Sequence, residues 1–276
     1  MRLPIPITVD GKKYTEVEVD APKASAIADT RRDVEKVNVY QAIWTFIAGG
    51  VRCYIDEAGN RIEDQSAVKR ITGYMPYRSA EYIALMVVLE IDPDDGIEGL
   101  YSCPRCGMEI VNEYVDEGLD TRDHARDLPV AFMEPGEEPI IDHKMVDPIS
   151  IIDKTTGDQL FTIDSFKMEY PTLMTCAQSY NKYGATDEVR RQFAFYIDSL
   201  IEVNGEAVTQ KFKGEWGMFL FSNMSTRKNS DRHLLNKAMQ EYGLDSRIKK
   251  VCPKCDKEWN AEVSTANFFE YALRSE

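Results

Sequence analysis

The chain has 276 residues, 43% of them hydrophobic and 29% charged, the composition of an ordinary soluble protein of one large or two small domains. Its formal net charge of −14 argues against the basic face of a nucleic-acid binder, and no apolar run approaches the roughly 18–20 residues that span a bilayer. The opening, Met1-Arg2-Leu3-Pro4-Ile5-Pro6, is too short and proline-broken for a signal peptide, so an intracellular protein with reduced thiols is expected.

Taken in order, residues 5–9 and 14–19 alternate in character around Asp10-Gly11, which predicts a hairpin ended by Pro22. Residues 24–48 read as helical, with Ile27, Val34, Val37, Ile43, Trp44 and Ile47 as core positions and Gly49-Gly50 as the stop. A strand over 51–55, a turn at 57–60 and a short helix over 65–71 follow. Ser79 is placed as the N-cap of a helix over 80–90, and a strand is expected over 108–115.

Charge is uneven along the chain, about −6 over residues 1–115, −7 over 116–147 and −1 over 148–276. Residues 116–147, acidic and proline-bearing, therefore read as a linker or surface wrap. His124 and His143 within it read as solvated rather than as ligands. Beyond it the order of elements repeats. A strand over 161–170 ends at Pro171, helices follow over 172–183 and 187–196 (the second capped by Thr186), and a hairpin turns at Asn204-Gly205. A short aromatic helix over 214–221 precedes a helix over 231–242, capped by Ser230 and stopped by Gly243, and a final strand is expected over 258–263.

Each half closes on the same turn, Cys103-Pro104-Arg105-Cys106 and Cys252-Pro253-Lys254-Cys255. A C-P-x-C bend puts two thiolates on one side of a tight turn, the arrangement a soft divalent metal selects. The residue after the second cysteine, Gly107 or Asp256, suits a positive φ. Two turns of two ligands make one closed Zn(Cys)4 site from Cys103, Cys106, Cys252 and Cys255. The spacing supports a duplication, since 149 residues separate Cys103 from Cys252 and also Pro22 from Pro171. The expected fold is α+β: two tandem copies of one small unit, 1–115 and 148–276, related by a pseudo-twofold axis and sharing structural Zn2+. Each copy is expected to hold its own core, around Trp44 and Phe46 in one and Phe193, Phe195 and Trp216 in the other. Cys53 and Cys176 read as core thiols.

No phosphate-binding glycine loop, nucleophile elbow or HExxH spacing is present. A four-cysteine zinc leaves no open coordination position, so no catalytic residue is assigned. The stretch Ile248-Lys249-Lys250-Val251-Cys252-Pro253-Lys254-Cys255, with Trp259, Asn267-Phe268-Phe269 and the upstream run Ile197 to Gly205, resembles the baseplate hub and tail-assembly proteins of T-even-like contractile-tailed phages. Chains of that family end in a C-P-x-C turn and a terminal N-x-F-F or F-F motif; this one departs at Asp256, where glycine is commoner. The opening Ile7 to Tyr14, with Pro22 after it, is similar to the start of small myophage tail-assembly proteins.

The resemblance implies a non-enzymatic virion or assembly component. It would act through other tail and baseplate proteins, with no membrane and no nucleic acid involved, in the host cytoplasm during assembly or in the virion tail. Phe268, Phe269 and Tyr271 are the candidate partner-binding residues. The competing reading is a zinc-ribbon nucleic-acid-binding regulator, in which Arg105, Lys249, Lys250, Lys254 and Lys257 supply phosphate contacts.

Overall fold

The computed structural model describes residues 1–35, 38–115, 119–120, 122–153, 155–183 and 188–263. The fold is mixed α/β. Strands β1 (Arg2–Val9) and β2 (Lys12–Val19) form the expected hairpin. Its turn places Asp10 at φ 51° and Gly11 at φ 73°, the two left-handed residues of a type I′ connection. The helical stretch that follows is two helices, α1 (Ala24–Glu35) and α2 (Val39–Gly50). Asn38 makes the break: its Oδ1 accepts the Gln41 N–H and caps α2, while its Nδ2 donates to the Ala177 carbonyl. Of the expected core positions there, Ile43 and Ile47 are buried and Ile27 and Trp44 partly so; the side chains of Val34 and Val37 lie outside the described set.

Strands β3 (Val51–Asp56) and β4 (Arg61–Ile62) complete a sheet of order β1-β2-β3-β4. Helices α3 (Gln65–Gly73) and α4 (Tyr77–Ile91) follow. Ser79 lies inside α4, whose N-cap is Pro76, and does not cap it. Fully buried, Ser79 uses its hydroxyl to accept the Ile5 N–H at 2.9 Å and donate to the Ile5 carbonyl at 3.1 Å. These groups lie at the irregularity between Arg2 and Ile7 in the β1 ladder, where the backbone needs a side-chain partner.

A series of short ribbons comes next. Strand β5 (Gly96–Ile97) precedes β6 (Gly99–Ser102) and β7 (Glu109–Asn112), which flank the first cysteine turn. Strands β8 (Tyr114–Val115) and β9 (Leu119–Asp120) pair with each other, β10 (Asp123–His124) returns to β5, and β11 (Val130–Ala131) precedes β12 (Ile140–Ile152). The stretch 116–147 is therefore no plain linker or wrap, and the boundary drawn between 147 and 148 falls inside β12. Its acids hide an alternation: Ile141, His143 and Met145 point inward while Asp142 and Lys144 point out. Ala125, Leu128 and Met133 are buried as well.

The second half builds the sheet β12-β13-β14-β15. Strand β13 (Gln159–Glu169) is followed by α5 (Leu173–Tyr183), α6 (Glu188–Ser199), β14 (Leu200–Val203) and β15 (Glu206–Ala207). Asn204 at φ 52° and Gly205 at φ 82° make the hairpin turn; Thr186 lies outside the described residues. A π-helical turn (Lys213–Gly217) joins α7 (Gln210–Phe212) to α8 (Met218–Asn223), and α9 (Asp231–Met239) leads to β16 (Gly243–Leu244), β17 (Arg247–Val251) and β18 (Glu258–Glu262). Among the described residues no helix is long and apolar enough to cross a membrane.

Each half holds its own core around the expected residues, Trp44 and Phe46 in one and Phe193, Phe195 and Trp216 in the other, but the two cores interlock. Leu173 of α5 lies in the core built by β1–β3 and α2–α4, and Ile5 of β1 lies in the core built by β12, β13, α6, α8 and α9. The backbone follows the same exchange. Tyr77 N donates to the Pro171 carbonyl at 2.9 Å and Leu173 N to the Met75 carbonyl at 3.0 Å, while Met133 N donates to the Pro4 carbonyl at 2.8 Å. A third cluster, Leu85, Leu89, Ile97, Ala125, Leu128, Leu244, Ile248 and Val263, packs α4 against ribbon residues from both halves.

His143 is likewise buried, not solvated. Its Nε2 lies 2.8 Å from Asp231 Oδ1, and Asp231, 1% exposed, also accepts the N–H groups of Val146 at 2.7 Å and Asp147 at 3.1 Å. Burial disfavours the charged carboxylate, but the Val146 N–H, the His143 ring and the Asp147 N–H outweigh it and hold Asp231 below the usual carboxylate range. A carboxylate so depressed stabilises the fold above its unfolded value near 4 and loses that contribution as pH falls through its folded value. Asp231→Ala is expected to cost about 2–3 kcal/mol at pH 7 by urea denaturation, with the gap to the parent chain narrowing below about pH 4. A cost unchanged from pH 7 to pH 3 would contradict this role.

Candidate metal centre

The two cysteine turns are built alike. Cys103 N donates to the Met108 carbonyl at 2.8 Å and Gly107 N to the Cys103 carbonyl at 2.9 Å; in the second turn Cys252 N donates to the Lys257 carbonyl and Asp256 N to the Cys252 carbonyl, both at 2.9 Å. Each bend needs a left-handed residue after its second cysteine. Gly107 supplies it at φ 68° and Asp256 at φ 54°, the aspartate tolerating a conformation that glycine adopts freely. The ribbons β6–β7 and β17–β18 hold the turns in register, Ser102 opposite Glu109 and Val251 opposite Glu258.

The turns face each other and bring all four predicted ligands together. Cys103 Sγ lies 3.7 Å from Cys255 Sγ and Cys106 Sγ 3.5 Å from Cys252 Sγ, and the four sulfurs all lie within 4.8 Å of one another. Metal–sulfur bonds of about 2.3 Å in a tetrahedron put neighbouring sulfurs about 3.8 Å apart, so the set fits a thiophilic divalent cation. Cys103 and Cys252 are buried, and Cys106 and Cys255 half-buried. Burial opposes ionisation at Cys103, yet the N–H groups of Cys106 and Arg105 outweigh it and the thiol falls to about 6. At Cys255 the Lys257 N–H favours the thiolate, but burial and the three neighbouring sulfurs push it up to about 12. Cys103 and Cys255 are thus driven in opposite directions, and a bound cation would favour the thiolate at both.

A polar clasp between the two ribbons had no sequence signal of its own. Asp123 Oδ2, from β10, accepts from Asn112 Nδ2 of the first ribbon at 2.8 Å and pairs with Lys250 Nζ of the second. The Lys250 ammonium lies 4.9 Å from the Tyr101 ring centroid on β6. Lys250 and Lys249, two of the candidate phosphate contacts, are thus engaged within the chain, Lys249 with Glu258 at 2.8 Å, whereas Arg105, Lys254 and Lys257 are exposed. His124 Nδ1 pairs with Asp95 at 3.0 Å, and His233 is exposed; neither joins the sulfur cluster. Cys53 and Cys176 are buried elsewhere, burial pushing each thiol up. Phe268, Phe269 and Tyr271 lie outside the described residues.

No protein-family model, curated protein or solved structure matches this chain. The chemistry of the site therefore rests on its own geometry. Cobalt(II) titrated into reduced, metal-free protein is expected to give thiolate charge-transfer absorption saturating at one equivalent. Cys252→Ser should abolish the saturating signal, and Cys53→Ser should leave it unchanged. Equal signals from all three proteins would dismiss the four-sulfur site.

Proposed function

We propose that the chain is a non-enzymatic component or assembly factor of a contractile phage tail or baseplate, in which one structural zinc locks two ribbons into a fixed partner-binding body. The observation that carries the metal role is the closed set of four sulfurs from two like-built turns. Four thiolates fill the tetrahedral shell of zinc and leave no position for substrate or water, which is why the metal is assigned to structure and not to catalysis. The tail or baseplate assignment is carried by the resemblance of residues 197–205, 248–259 and 267–269.

The finer architecture belongs to the same reading. Each sheet is a four-stranded antiparallel meander with two helices inserted between its second and third strands, and each is followed by further helices and a cysteine turn. This order, with the matched hydrogen bonds of the turns, supports an internal duplication in which β1 corresponds to β12. The second copy then begins near residue 140, and the pseudo-twofold axis passes near the sulfur cluster. A single-copy ancestor would have shared one zinc across a dimer.

Elemental analysis of protein purified under reducing conditions is expected to find one zinc per chain; two, or none, would defeat the shared site. Because Ile5 and Leu173 interlock the cores, chelation should spare the helical circular dichroism and loosen the ribbons, with new tryptic cleavage at Arg105 or Lys254. Complete unfolding would mean that the metal nucleates the whole fold.

For the partner role, the decisive measurement is co-expression with the products of the adjoining genes. A stoichiometric complex with a tail or baseplate protein is the expected result. DNA binding with a steep salt dependence in place of such a complex would favour the nucleic-acid reading.

A further inference from the structure

Two sulfur–sulfur contacts run between the ribbons. Cys103 Sγ of the first turn meets Cys255 Sγ of the second at 3.7 Å, and Cys106 Sγ meets Cys252 Sγ at 3.5 Å. In both pairs the first cysteine of one turn faces the second cysteine of the other. Each pair also joins a buried sulfur, Cys103 or Cys252, to a half-buried one, Cys255 or Cys106. All four are free thiols in this structure. The ribbons are held together by more than the sulfurs, since Asp123 links Asn112 of the first to Lys250 of the second. The facing pairs are therefore presented to one another by the fold itself.

Such closeness suits a second chemistry besides metal binding. A disulfide has an S–S bond of about 2.05 Å, so each facing pair has to close by only roughly 1.5 Å. The half-buried sulfurs, Cys106 and Cys255, are those that a small oxidant in solution can reach, and each has a sheltered partner beside it, Cys252 or Cys103. An accessible thiol poised next to a resolving one is the arrangement of an oxidisable pair. Cys53 and Cys176, buried elsewhere, have no part in it.

We propose that these four cysteines form an oxidisable clasp, which a hydroperoxide converts into two ribbon-to-ribbon disulfides, Cys103–Cys255 and Cys106–Cys252. For each bond, a thiolate sulfur attacks a peroxide oxygen. The O–O bond breaks, the sulfur becomes a sulfenic acid, and hydroxide leaves to be protonated to water. The thiolate of the facing cysteine then attacks that sulfur; the S–S bond forms, the S–O bond breaks, and a second hydroxide leaves as water. Two electrons pass from two sulfurs to one peroxide, so the full conversion takes two peroxides per chain. A cation held by the thiolates departs as the hydrated ion, because the thiolate is the metal ligand. The two halves then stay joined both in a reducing compartment, through metal, and in an oxidising one, through disulfides. The pairing itself does not depend on which metal fills the site or on the tail assignment.

The full-length protein, purified under reducing conditions with its metal content recorded, would be freed of reductant and treated with a small excess of hydrogen peroxide. Remaining thiols are then alkylated and the denatured chain is digested with trypsin. Cleavage after Arg105 and after Lys254 puts the four cysteines on four separate peptides, so mass spectrometry reads the linked partners directly. The expected map joins the Cys103 peptide to the Cys255 peptide and the Cys106 peptide to the Cys252 peptide within one chain, with Cys53 and Cys176 alkylated. Dithiothreitol should restore all four thiols, and a chromophoric chelator should detect the metal released as the bonds form. Before denaturation, the oxidised protein should resist trypsin at Arg105 and Lys254, where the chelated, reduced protein opens. Cys252→Ser should retain the Cys103–Cys255 bond alone; if that variant fails to fold, the map of the parent chain still decides. Bonds within one turn, Cys103–Cys106 or Cys252–Cys255, links between chains, or sulfinic acids without disulfides would overturn the proposal and leave the zinc reading standing. Ribbon-to-ribbon bonds in protein that carries no metal as purified would support the clasp and count against the zinc.

Discussion

Four sulfurs within 4.8 Å of one another are an electrostatic problem that the chain does not solve by itself. Backbone N–H groups favour thiolate character in both turns, while the same closeness drives Cys255 the other way. A divalent cation binding all four at once would resolve the conflict. The demand reaches outward from the sulfurs. Each turn has to be held open at a left-handed residue, each ribbon has to stay in register, and the two ribbons have to come together from stretches 149 residues apart. Asp123 bridges the ribbons through Asn112 and Lys250, and the cluster of Leu85, Leu89, Leu244 and Ile248 packs the second ribbon onto α4.

The rest of the molecule keeps the two halves at the spacing the sulfurs need. Ile5 and Leu173 each cross into the other half's core, and the backbone bonds of Tyr77 and Leu173 run beside that exchange. Burying a large aliphatic side chain stabilises by roughly 1.5–3 kcal/mol, so the exchange makes each core incomplete without its neighbour. Such interlocking explains how a four-sulfur cluster assembled from turns 149 residues apart is positioned by packing.

The acidic middle of the chain shows how charge and pattern compete in one stretch. Its surface carboxylates are real, yet Ile141, His143 and Met145 form the inward face of β12, and Asp123 and His124 pair with β5. Asp231 is the partner that makes a buried histidine tolerable there, since a polar ring in a core needs a hydrogen-bonding group. Asp231 lies 88 residues from His143, so nothing near the histidine announced it.

By itself the sequence determined what short-range chemistry controls. The hairpin at Asp10-Gly11, the turn at Asn204-Gly205, most helix positions and the two cysteine turns all depend on a few adjacent residues: a left-handed pair, a helical period, a C-P-x-C bend. The tertiary structure decided everything that needs a partner far along the chain. Ser79 could cap a helix or satisfy a bulged strand, and only the proximity of Ile5 selects the second. Residues 116–147 could wrap in solvent or enter the sheets, and the buried faces of β5, β13 and α9 select the sheets. Lys250 could meet a phosphate or a carboxylate, and Asp123 settles it, because the strength of a charge pair depends on distance and solvent exclusion, which local sequence does not encode.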